Sequence, residues 1–143
     1  MLDYFATFNK SQFPYVYVDF QKNIRDYHDY KHFEEDWLSC YCEQEDFYFI
    51  FDTTQVGMIN PKYCYHLTTF ISKLKKMKTQ YLKYSIIIVD NWYIKQLLFW
   101  VFQMQSPVAP VYIIEKKISV HSLIDDIHEK KIIKDDNIYV IYP

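Results

Sequence analysis

Three runs in this chain, FYFIFD (47–52), SIIIV (85–89) and VYII (111–114), are apolar almost throughout. A run of strand length without polar alternation needs cover on both faces, as in a central strand of a parallel sheet. Between these runs lie stretches of helical spacing. In IRDYHDYKHFEEDWLSCYCEQ the apolar residues Tyr30, Phe33, Trp37, Leu38 and Tyr41 recur with that period, which assigns Asp26, Asp29, Glu34, Glu35 and Asp36 to the wet face. Further stripes are Leu67, Phe70, Ile71, Leu74 and Met77, then Ile94, Leu97, Leu98, Val101 and Phe102, then Val120, Leu123, Ile124 and Ile127. Asn60 reads as an N-cap with Pro61 at the first helical position, Asp90 or Asn91 as the next cap, and Ser119 as the last. PYVYVDF (14–20) alternates and reads as a strand, and NIYVIYP as a short edge strand, where a terminal proline is harmless. The order of elements predicts α/β architecture. A single mainly parallel or mixed sheet of about five strands is expected, with four flanking helices and right-handed crossovers. Residues 1–143 read as one domain, with SPVAP (106–110) a stiff loop inside it.

Several function classes are disfavoured. The chain has one glycine, Gly57, whereas phosphate-cradling loops and dinucleotide fingerprints need several. A nucleophile elbow is missing as well. Fifteen of the sixteen basic residues are lysine, Arg25 being the exception, and the formal net charge is -2. Specific nucleic-acid binding is therefore not expected, because base readout leans on arginine forks. No apolar run approaches the ~18 residues of a transmembrane segment. MLDYFATFNKSQ lacks the basic start and apolar core of a signal peptide. Three cysteines do not make a disulfide framework, so a reduced, cytoplasmic location is expected.

With the elements placed, FIFDTTQVGMINP (49–61) resembles the strand, loop and helix start of the STAS domain, the anti-sigma-factor-antagonist-like fold. PYVYVDF and the helix after it resemble the preceding βα unit; SIIIVDNWYIKQLL and PVYIIEKKISVHSLIDDI resemble the later ones. The resemblance spans about residues 13 to 130. It implies a STAS-like fold, an Asp-Thr pair at Asp52 and Thr53 with a mainly structural role, and a regulatory site at the start of the following helix. The bacterial members carry a phosphorylatable serine there, but this chain has no hydroxyl between Val56 and Pro61. The chain also resembles the lipid-binding CRAL-TRIO (Sec14-like) domain, although it is short for one. That implies a small apolar-ligand or lipid-binding module as an alternative.

Taken by its residues alone, the same stretch has two readings. Asp52 at the end of a buried strand is a candidate acid or base. An Asp followed by Thr is also a turn former that bonds its own backbone. The expected function is a non-enzymatic regulatory or scaffolding module. It would bind another protein, or itself as a homo-oligomer, through Asp52, Thr53, Thr54, Asn60 and Lys62. An enzyme using Asp52 is the further alternative. No cofactor and no metal are expected: Cys40, Cys42, Cys64 and His66 have zinc-ligand chemistry without zinc spacing. His28 and His32 read as solvated residues on an acidic face. KLKKMKTQYLK (73–83) holds five lysines. It allows weak membrane-surface contact, although a basic last helical turn explains it. Fifteen tyrosines, several near expected surfaces, suit a protein contact or a biased composition.

Overall fold

In the computed structural model residues 4–21, 23–133 and 135–143 are described. One sheet holds six strands in chain order: β1 (Ala6–Asn9), β2 (Tyr15–Phe20), β3 (Phe47–Asp52), β4 (Leu82–Val89), β5 (Val111–Glu115) and β6 (Ile138–Ile141). β2 to β5 run parallel; β1 and β6 close the two edges antiparallel. The helices are α1 (Tyr27–Ser39), α2 (Lys62–Lys75), α3 (Trp92–Met104) and α4 (Val120–His128). The expected α/β sheet with four helices is thus present, with one strand more than anticipated.

Each parallel pair is joined by a helix that steps to the next strand in the same direction. Right-handed crossovers of that kind put successive helices on one face. The core follows this rule. Phe33 and Trp37 of α1, Phe70 and Leu74 of α2 and Ile94 of α3 pack on Val16, Val18, Phe49, Phe51, Ile87 and Ile113. The opposite face, with Ile50, Tyr84, Ile86 and Ile114, packs against Leu123 of α4. Fully burying a side chain such as Phe49, Leu74 or Ile86 contributes about 1.5–3 kcal/mol. Among the described residues no helix is long and apolar enough to cross a membrane.

Four expectations need correction. β1 has only four residues and joins β2 through a turn without glycine, so it carries no local hairpin signal. Asp29 and Glu34 do not lie on a wet face: they are 1 % and 7 % exposed. β1 passes along α1, and Asp29 accepts the Phe5 N–H at 2.6 Å. His32 is not simply solvated. It stacks on Tyr4, centroids 3.5 Å apart, and its Nδ1 lies 3.2 Å from Asp36 Oδ2. The first predicted helix ends as α at Ser39, and Cys40–Glu43 form a 3-10 turn.

Candidate functional site

The loop from Asp52 to Lys62 leaves the carboxyl end of β3, the edge where open parallel sheets present their ligand-binding loops. Its first residues are spent on structure. Asp52 Oδ1 accepts Thr54 N–H at 2.9 Å and the Thr54 hydroxyl at 2.6 Å, an Asx turn. Thr53 is buried, and both its N–H and its hydroxyl donate to the Ile88 carbonyl, at 3.0 and 2.7 Å. The loop is thereby stapled to the end of β4. Val56 folds back on the Thr53 carbonyl at 3.0 Å and buries its side chain. Gly57 does not take a positive φ, so the only glycine in the sequence is not there to permit a left-handed turn.

The second half of the loop begins α2. Asn60 Oδ1 accepts the Lys62 N–H at 3.0 Å, and Pro61 stands in helical conformation just before the first helical residue. The expected cap is therefore made, with the boundary one residue later than the sequence suggested. Asn60 and Lys62 face outward, and the Lys62 ammonium lies 5.2 Å from the Tyr63 ring centroid. Met58, between the two halves, is 70 % exposed. Of the five predicted residues, Asp52, Thr53 and Thr54 thus hold the loop; Asn60 and Lys62 remain available on the surface.

Strand order adds neighbours that the sequence hides. Asp19 of β2 is the register partner of Asp52 and is exposed on the same face of the sheet. On the other side, Tyr93 of α3 donates its hydroxyl to the Ile59 carbonyl at 2.8 Å, tying the start of α3 to the loop. Asn91 caps α3 by accepting Tyr93 N–H at 2.8 Å. The next residue, Trp92, is 75 % exposed. It borders a groove of about 440 Å³ between the ends of β4 and β5, lined also by Asp90, Lys95, Glu115, Lys116 and Lys117. Lys117 pairs with Glu115 at 3.7 Å, and Lys95 sits 5.2 Å over the Tyr139 ring. Trp92 was legible as a surface residue: it opens its helix one position after the cap and outside the Ile94–Leu97–Val101 stripe.

The cysteines and histidines do not converge. Cys40 and Cys64 are buried, which pushes each thiol up to about 11, and Cys42 is exposed. His66 packs among the rings of Tyr27, Tyr30 and Tyr63. Among the described residues no group of three or more His, Cys, Asp or Glu side chains is placed to hold a metal ion.

Fold and edge together define a mixed α/β protein whose parallel strands succeed one another in chain order, with a stapled loop and an exposed tryptophan side by side. Comparison with protein-family models, with curated proteins and with solved structures gives no match.

Proposed function

We propose that this chain is a non-enzymatic regulatory or scaffolding module of STAS-like type, which binds another protein through the carboxyl edge of its sheet. The contact is formed by the outward part of the 52–62 loop and the first turn of α3. The observation that carries this reading is the joint exposure of Met58 (70 %) and Trp92 (75 %) on two segments held together by the Tyr93–Ile59 hydrogen bond. Large apolar side chains on a rigid frame bring contact area at little entropy cost, and tryptophan is the residue most enriched at interface hot spots. The STAS likeness is supported by the Asp52–Thr53 strand exit, the short loop and the helix start at its end. In this module the edge is a contact surface, and the loop hydroxyls serve the turn.

The test is affinity capture from extracts of the native cell, using the wild type, Trp92→Ala, Lys62→Glu and Tyr142→Ser. Tyr142 is 68 % exposed beyond β6, at the opposite edge of the sheet, and serves as the control. One protein should be held by the wild type and the control and lost from both edge variants. Capture that ignores Trp92 and Lys62 would place the contact elsewhere, and no capture at all would count against a protein-binding role. A second copy of this chain is an admissible partner, read from the mass of the purified protein with and without the Trp92→Ala change.

A further inference from the structure

The three helices on one face do not fill the space between themselves and the sheet. Two adjoining cavities remain, of about 100 and 120 Å³. Both are walled by Phe20, Phe33, Thr53, Leu67 and Leu98. The first is lined almost entirely by apolar side chains, with Thr53 and Ser85 as its two hydroxyl-bearing residues. Thr53 gives its hydroxyl to the Ile88 carbonyl. Ser85 of β4 is 4 % exposed and lines this cavity as well. Trp37 lines the same cavity; its Nε1–H neighbours the Tyr41 hydroxyl and closes no hydrogen bond to it.

A void inside the core is costly. A molecule that fills the space relieves that cost, and Ser85 in the wall gives it a residue to bond. Size sets its class. An apolar cavity of about 150 Å³ stays dry and takes a benzene ring. The two cavities here together exceed that, and each falls well short of the ~300 Å³ at which drug-sized pockets begin. We propose that the two adjoining cavities together bind a small, mainly apolar molecule of about one ring that carries a single hydroxyl or carbonyl group. The ring packs against Phe33, Trp37 and Phe51, the polar group bonds Ser85 Oγ, and any substituent extends past Thr53 into the second cavity. This site lies inside the helical layer and does not depend on the protein partner.

Phenol and benzene are the probes, titrated against the wild type, Ser85→Ala and Ala109→Leu while thermal unfolding is followed. Ala109 is a buried wall residue of the first cavity, and leucine there fills it. Both probes should raise the Tm of the wild type. Phenol should bind roughly five-fold more tightly, the worth of one hydrogen bond. Ser85→Ala should bind the two equally, and Ala109→Leu should bind neither. Should Ala109→Leu not fold, amide shifts of the wild type with phenol carry the test; they should centre on Ser85, Phe33 and Leu98. Failure of both probes to raise the wild-type Tm up to their solubility would overturn the proposal. So would a phenol preference that survives in Ser85→Ala.

Discussion

Asp29 is 1 % exposed and accepts hydrogen bonds from Phe5 N–H at 2.6 Å, Arg25 N–H at 3.1 Å and Arg25 Nε at 3.3 Å. Burial acts to raise its carboxyl, and these donors outweigh it, so the group is held below its ordinary value. A carboxyl lowered by folding contributes stability above its unfolded value, near 4, and that contribution fades as the pH falls through the folded value. Asp29→Asn keeps the shape and loses the charge. It should cost about 2 kcal/mol at neutral pH in urea unfolding, and the variant should lose less stability than the wild type between pH 5 and pH 2, roughly the range over which such a group titrates. An unchanged acid slope would show that Asp29 is not what links β1 to α1. The thiols give a second reading at this scale. Burial pushes Cys40 and Cys64 up to about 11, and Cys42 is exposed. The thiolate is the reactive form, so a thiol reagent at pH 8 should label Cys42 in the native state and the other two only on unfolding.

Helix starts in this chain are set by short side chains at predictable places. Asn91 accepts Tyr93 N–H and Asn60 accepts Lys62 N–H. Replacing either with alanine should cost about 1 kcal/mol, measured as a shift of the urea midpoint at constant slope. These caps, the three buried strands and the Ser119 start of α4 were legible because each depends on residues a few positions apart. What was not legible depends on partners far along the chain. β1 exists because β2 offers it an edge, with Ala6 opposite Phe20 and Asn9 opposite Tyr17. Asp29 is buried because Phe5 needs an acceptor, and Tyr63 because α1 lays Tyr30 beside it, centroids 5.5 Å apart. The candidate site divides the same way. The strand exit at Asp52–Thr53 and the helix start at Asn60 follow from local chemistry. Asp19 beside Asp52, and Trp92 near the loop, follow from strand order, which a sequence does not display.

The strand order also makes the molecule lopsided. α1, α2 and α3 share one face, and α4 is the one helix of the core on the other. That second face opens with a row of tyrosines in register, Tyr15, Tyr48 and Tyr84. Their ring centroids lie 5.1 and 4.5 Å apart. His128, at the end of α4, brings Nε2 to 3.0 Å from the Tyr15 hydroxyl and 3.3 Å from that of Tyr84. The deeper anchor of α4 is Leu123, 2 % exposed and packed with Ile50, Ile86 and Ile114. A carboxylate at that position has no partner in the apolar cluster, so Leu123→Asp should peel the helix away instead of burying the charge. The three-helix face does not use α4, and its packing should persist. The expected result is a loss of helical signal of about one short helix in far-UV circular dichroism. Binding of a hydrophobic dye to the uncovered tyrosine and isoleucine face should accompany it, with the fluorescence of Trp37 unchanged. Full unfolding of Leu123→Asp would mean that the two faces form one cooperative unit. A variant that binds no dye and keeps all its helix would mean that α4 is not what shields this face.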